Sequence, residues 1–324
     1  MVIPLLKVKQ KGMKLIDFIE KFPNEEACKL FFKKEREKQG VTCKNCSCKE
    51  HYWMKTKELY KCKKCKFMFS LKSGTVMENS KLPYRYWLLA LHLVTSTKKT
   101  ISALELQRQI GHKFYEPIWA MMHKIRLVLG KRDAKYKLDN NIEIDEGFVS
   151  TGYSLEINEF TGEKEELKRG KGSQKKTKVL VMVSFKNVKK GLKSKYESES
   201  IPQFIKMKTI DDLTANTLCN EIKKSVESKS KAVTDEYKSY KKLPEIIDKH
   251  TAYDMSKFDA DKVLPWVHKA ITNSKNLLKS VHHCVWSDYL QNYLDEFCFK
   301  FNRRYFGEKV FDRAVIAAVS NVWY

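Results

Sequence analysis

The chain of 324 residues has no apolar stretch of the roughly 20 residues needed to span a bilayer. Its longest run, Trp87 to Val94, is interrupted by His92. Nor does it open like a secretory leader, because the apolar run Met1 to Leu6 is short and meets lysines rather than a cleavage site. No membrane partner and no export are expected, and the expected compartment is cytoplasmic. Negative charge is scarce: 39 Asp and Glu face 63 Lys and Arg, for a formal net charge of +24. Such a surplus favours a polyanion through phosphate neutralisation and counterion release. It also describes a lysine-rich surface that merely keeps the chain soluble, and charge alone does not separate the two.

What is present reads as globular, with 42% hydrophobic and 31% charged residues and length for two or three domains. Nine cysteines without an export signal point to a reducing compartment, where clustered thiols hold metal rather than disulfides. Cys43-x2-Cys46 is followed after fifteen residues by Cys62-x2-Cys65. Each pair fits a tight turn presenting two thiolates to one tetrahedral Zn²⁺, and four thiolates leave no open position, so the zinc is expected to be structural. Cys48 and His51 lie nearby as bystanders. Tyr52–Met54 and Leu59–Lys61 are the expected small strands. Before them, Met13–Phe22 and Asn24–Lys38 read as helices separated by Pro23, with Asn24 as N-cap and Gly40 as the stop.

After Pro83 the pattern is helical over Tyr84–Ser96, again over Ile101–Ile110 with Thr100 as cap, and after Gly111 over Tyr115–Leu129. Helix, short glycine turn, helix is the arrangement that lays a second helix in a DNA groove, although most such hairpins only pack a core. His112, Lys113, Lys124 and Arg126 are the expected DNA contacts here.

Asp133–Asn141 is a polar linker, and Ile142–Val149 follows with apolar residues at period two, the mark of a strand. Glu143 and Asp145 then share one face and Glu146 takes the other. Two carboxylates on one face need a cation to offset their burial; the bland alternative is an acidic solvent face. The basic run 168–176, containing Lys168, Arg169 and Lys171, is either a mobile hairpin tip or a clamp on a DNA backbone. Lys178–Phe185 reads as a buried strand, Leu213–Val226 as a helix, and Ala232–Thr234 as a short strand ending at Asp235, which gives an α/β order with a mixed sheet. Asp235 is a site candidate at a strand's carboxyl end or simply a turn residue. A helix opening at Pro265 carries His268, Lys269 and Asn273; His282-His283-Cys284 reads as loop; and Tyr289–Arg304 is a long helix ending in Asn302, Arg303 and Arg304.

In this order, the zinc-ribbon cysteines, Ile142-Glu143-Ile144-Asp145-Glu146, Thr234-Asp235-Glu236-Tyr237, Trp266-Val267-His268 with Ile271-Thr272-Asn273, and Tyr293-Leu294-Asp295-Glu296-Phe297 with Phe301-Asn302-Arg303-Arg304 are similar to one known family. The chain resembles the insertion-sequence transposases that pair an amino-terminal zinc ribbon with a DDE-type, RNase H-like domain, the insertion-sequence family numbered fifteen-ninety-five. The resemblance implies an α/β fold: an RNase H-like mixed-sheet catalytic domain (139–324) preceded by N-terminal helices (1–40), a zinc ribbon (41–78) and a helix-turn-helix-like DNA-binding region (79–138). It implies phosphoryl transfer on DNA with two Mg²⁺ (or Mn²⁺) ions held by Asp145, Asp235 and Asn273, with His268 lining the site. Two departures stand out. The first motif continues as Gly147-Phe148-Val149 where many relatives have paired glycines, and Asn273 to Lys279 is one residue short of the usual interval. The implied partners are double-stranded DNA, as terminal inverted repeats and target, and a second copy of the chain on paired ends. Arg303 and Arg304 join the expected DNA contacts. Two rival readings are a catalytically inactive DNA-binding regulator and a zinc-ribbon nuclease that cuts without joining.

Overall fold

A computed structural model describes residues 12–97, 99–153, 170, 173–187 and 200–324. The expected contacts Lys168, Arg169 and Lys171 lie outside the described residues. The chain divides into two compact units, residues 134–302 forming one and the remaining described residues the other.

The first unit begins with α1 (Leu15–Lys21) and α2 (Glu25–Gln39), continues through the strands β1 (His51–Met54), β2 (Leu59–Cys62) and β3 (Met68–Ser70), and then α3 (Tyr84–Ser96), α4 (Ala103–Ile110) and α5 (Glu116–Asp133). Asn24 caps α2 by accepting from the Ala27 amide at 2.9 Å. The three strands form an antiparallel sheet. Tyr60 and Phe69, paired across it, are buried, and the buried Arg36 guanidinium of α2 lies over both rings. Arg36 also donates to the carbonyls of Ser70, Leu71 and Ser73, so one side chain ties helix to ribbon. Helix α3 starts after Pro83 without a local cap; the Glu25 carboxylate supplies one, accepting from the amides of Tyr84 (2.7 Å) and Arg85 (2.9 Å). The cap of α4 is Ser102 rather than Thr100, accepting from the Glu105 amide at 3.0 Å, and Gly111 ends it in the left-handed conformation.

The hairpin α4–α5 therefore exists, but α5 is buried round most of its circumference, including Met121, Met122, Ile125, Arg126, Val128 and Leu129. It packs a core and does not lie open to a groove. Arg126, an expected DNA contact, is fully buried and donates to the Ile101 carbonyl at 3.4 Å. The last helix, α10 (Lys309–Ser320), also belongs here, packing on α2, α3 and α5 through Phe311, Ala314, Val315 and Ala318. Residues 303–324, expected with 139–302, group instead with the first unit, because this apolar helix packs on the amino-terminal helices. Arg303, another expected DNA contact, is buried in a 2.6 Å ion pair with Asp133.

The second unit is a five-stranded mixed sheet. Its strands are β4 (Asn141–Ser150), β5 (Lys176–Asn187), β6 (Ser200–Ile210), β7 (Lys231–Asp235) and β8 (Lys249–Tyr253), and its helices α6 (Ala215–Ser225), α7 (Ala260–Val263), α8 (Pro265–His282) and α9 (Ser287–Asn302). The order is β6-β5-β4-β7-β8, antiparallel from β6 to β4 and parallel from β4 to β8. Both faces are covered, unlike the half-exposed strand that the period of two allowed. Ile142, Ile144, Leu180 and Met182 meet Leu218 and Ile222 of α6, while Val179, Val181, Val183 and Ile205 meet Val267, Leu290 and Leu294 of α8 and α9. The edge strand β6 is closed by side chains of α9. Asn302 pairs with the amide and carbonyl of Ile205 at 2.8 and 3.0 Å, and Gln291 with the Thr209 amide and Met207 carbonyl at 2.8 and 3.1 Å.

Candidate metal centres

In the ribbon, both cysteine pairs sit on the same kind of turn. The Ser47 amide donates to the Cys43 carbonyl (2.9 Å) and the Lys66 amide to the Cys62 carbonyl (3.1 Å), and Ser47 and Lys66 are both left-handed, at φ 56° and 62°. The four sulfurs lie within 4.8 Å of one another, with Cys43–Cys65 at 3.6 Å and Cys46–Cys62 at 3.5 Å. Sulfurs at the corners of a Zn–S tetrahedron of about 2.3 Å radius stand about 3.8 Å apart, so the cradle fits zinc. A backbone N–H from Cys65 brings the Cys62 thiol down to about 6, and one from Phe67 lowers Cys65. Cys46 receives an N–H from Cys48, yet sharing hydrogens with Cys65, Cys62 and Cys43 pushes it up to about 12. Four thiols this crowded compete for protons that a dication would displace.

In the second unit, β4 pairs β7 in parallel with Asn141 opposite Lys231 and Glu143 opposite Val233. The pairing ends there; two residues further on, Asp145 on β4 and Asp235 at the end of β7 lie near enough for the charge of one to act on the other. Burial raises the Asp145 pKa; the Glu146 amide, donating at 2.8 Å, lowers it, and the negative charge of Asp235 raises it again. Asp235 accepts from the Tyr237 amide at 3.2 Å, so the turn after β7 fixes its carboxylate.

The helix α8 brings the third partner. Glu143, only 2% exposed, accepts from the amides of Trp266 (2.7 Å) and Val267 (2.9 Å) with a single oxygen, capping a helix whose own N-cap, Leu264, has no side chain to do so. Burial pushes the Glu143 carboxyl up to about 7 in spite of these donors. One turn on, His268 places Nε2 3.3 Å from Asp145 Oδ2, while its Nδ1 lies 2.7 Å from Asp261 Oδ1. Further along, α8 closes on Gly147, where an added Cβ would meet Ile271 at 3.3 Å. A side chain at this position would press on Ile271, so glycine eases the close approach of helix and strand.

Asp145, Asp235 and His268 thus come together. Asn273 is exposed on α8, and five residues beyond His268 puts it about 140° round the helix, on another flank from the one meeting Asp145. Of the remaining expected contacts, Lys113 is exposed; Lys124 is half-buried with Nζ 4.0 Å from the Trp323 ring centre; and Arg304, half-buried, lies over the Tyr305 ring. The role of Glu143 was missed. Its signal was the shared face with Asp145, but its partners are backbone amides 123 and 124 residues away.

The chain thus joins a four-cysteine ribbon to a mixed α/β unit that carries two carboxylates on adjacent strands. Comparison with known families gives the particular one: the chain belongs to the ISXO2-like transposase domain family, which it matches over residues 137–302, and residues 23–67 match the transposase zinc-ribbon domain. It is 25% identical over 170 residues to an uncharacterized protein in transposable element ISH50 of Halobacterium salinarum. That match covers 51% of this chain and 56% of the relative. No helix among the described residues is long and apolar enough to cross a membrane.

Proposed function

We propose that the chain is a DNA transposase that hydrolyses a phosphodiester at the ends of its element and joins the freed 3′-hydroxyl to target DNA, with Asp145 and Asp235 as the principal ligands of the catalytic metal. The observation that carries this reading is the proximity of Asp145 on β4 to Asp235 at the carboxyl end of β7, close enough for their charges to interact, with His268 against Asp145. The mixed sheet covered by helices on both faces supports an RNase H-like fold for this unit.

Two adjacent carboxylates, one of them raised by burial and by the other's charge, fit hard divalent cations that prefer oxygen. When bound, Mg²⁺ or Mn²⁺ supplies stabilisation of the attacking and leaving oxygens in an in-line displacement. The protein's part is orientation. Glu143 anchors the first turn of α8, Gly147 lets the helix approach, and Asp261 holds the His268 ring so that Nε2 faces Asp145. In the tautomer that donates from Nδ1 to Asp261, the ring offers its Nε2 lone pair to a bound metal or to the proton of an attacking hydroxyl. His268 is accordingly the better supported third group, and Asn273 takes a supporting position on the helix. Double-stranded DNA, self-association on paired ends, and action in the cytoplasm complete the proposal; the +24 charge supports the first of these.

The test is a metal-dependent assay on DNA carrying the flanking inverted repeats. Asp145→Ala and Asp235→Ala are expected to abolish both cleavage and joining while end binding stays within about twofold, since neither residue is in the ribbon or the helical unit. Joining at the unsubstituted rate by either variant refutes the site. Cleavage without joining by the unsubstituted chain leaves a nuclease, and binding alone leaves a regulator.

A further inference from the structure

The first unit holds a pocket of about 580 Å³ that the site above does not use. Such a volume is in the range of small-molecule sites. Tyr86, Trp87, Phe114 and Met121 are among its walls; Lys81 and Lys124 line it too, and no Asp or Glu does. It lies beside the turn between α4 and α5, where the rings of Tyr86, His112 and Phe114 follow one another edge to face at 6.1 and 6.3 Å. Trp87 is fully buried, and its Nε1–H has no acceptor among the described residues. A buried donor left so is costly, and in a pocket wall it points to an acceptor that arrives from outside. Lys124 is drawn in from solvent, which lowers its pKa, and is held over the Trp323 ring.

The occupant must therefore be flat and mostly apolar, carry a hydrogen-bond acceptor, and be anionic. We infer that the pocket takes one unpaired nucleotide of DNA, its base against the aromatic walls and within reach of the Trp87 N–H, its phosphate compensated by Lys81 and Lys124. Base stacking on aromatic side chains next to lysine is the general chemistry of single-strand binding. The inference rests on the transposase reading, because a strand end freed by cleavage can fray and offer an unpaired base, which an intact duplex does not. A free mononucleotide offers the same chemistry, and connectivity distinguishes the two sources.

The experiment uses the full-length, zinc-loaded chain and three probes: a short labelled oligothymidylate, a blunt duplex, and thymidine monophosphate. Trp87→Phe removes the N–H and keeps an aromatic ring; Ala120→Leu fills the pocket from a lining position on α5. Trp87→Phe is expected to weaken the oligothymidylate about three- to tenfold, the worth of one hydrogen bond, and Ala120→Leu by at least as much. Both should leave blunt-duplex affinity and zinc content unchanged, which also verifies folding. The monophosphate should bind far more weakly than the oligonucleotide. Unchanged oligothymidylate affinity in both variants overturns the inference, as does a monophosphate that binds as tightly as the oligonucleotide. Pocket-dependent single-strand binding by a chain that neither cuts nor joins would sink the transposase reading and leave this site standing.

Discussion

Replacing Glu143 separates its two properties, acceptor and charge. Glu143→Ala leaves the amides of Trp266 and Val267 buried without a partner and opens a void under α8. Loss of a cap costs about 0.5–2 kcal/mol and each unsatisfied buried donor about 1–3 kcal/mol, overlapping terms that together give roughly 2–4 kcal/mol. For a unit of this size the melting temperature should fall by roughly 5–15 °C. Glu143→Gln keeps an oxygen in place, and because both amides use the same carboxylate oxygen it can satisfy both. With the carboxyl already pushed up to about 7, the lost charge matters little at neutral pH, and the cost should stay within about 1 kcal/mol. The pH dependence has a definite sign. Between the ordinary value of 4.5 and about 7 the folded state holds the Glu143 proton more tightly than the unfolded chain. Stability therefore falls as pH rises through that window, by up to roughly 3 kcal/mol relative to Glu143→Gln, in which the group does not titrate. Thermal melts followed by circular dichroism from pH 4.5 to 8, without added divalent metal, measure both effects. An alanine variant melting within a degree of the parent, or a glutamine variant as damaged as alanine, refutes the capping argument.

Other predictions follow from the same structure. Chelation of one zinc per chain should unfold residues 41–67, seen as loss of their amide dispersion by NMR, and Cys62→Ser should lower zinc content by mass spectrometry to well under one equivalent; full dispersion after chelation removes zinc from the account. His268→Ala should lower cleavage by at least tenfold more than Asn273→Ala in a single-turnover assay, since only His268 meets Asp145; the reverse order returns the third position to Asn273. His92, buried and stacked on Phe18 at 4.8 Å, has its pKa lowered by burial, so the folded state binds this proton less well than the unfolded chain. The first unit should lose stability as pH falls below the ordinary histidine value, by at most about 1.4 kcal/mol per pH unit, and His92→Phe should flatten that slope in thermal melts.

Local chemistry made much of this legible in sequence. Asn24 and Gly40 mark the ends of α2, and the two Cys-x2-Cys pairs declare the sulfur cradle because both of its halves are short-range turns. The period of Ile142 and Ile144 placed Asp145 and Glu143 on one face, as observed. Illegible were the contacts that only folding creates. The edge strand β6, with Pro202, Lys206 and Lys208, lacks a clean apolar alternation, and it is completed by Gln291 and Asn302 from a distant helix. Strand β8 is five residues of mixed polarity that, among the described residues, pair with β7 alone. Arg126 and Arg303 looked like phosphate contacts because an arginine in sequence carries no sign of the carbonyl or carboxylate that will bury it. Within α8, the family resemblance implied Asn273 as a ligand, while its angle from His268 became meaningful only once Glu143 had fixed where the helix begins.

Anomalous diffraction from crystals of the DNA-bound protein grown in Mn²⁺ tests the central claim most directly. A manganese peak touching carboxylate oxygens of both Asp145 and Asp235 is the predicted result. Manganese bound elsewhere, with these two side chains turned away from each other, would contradict it.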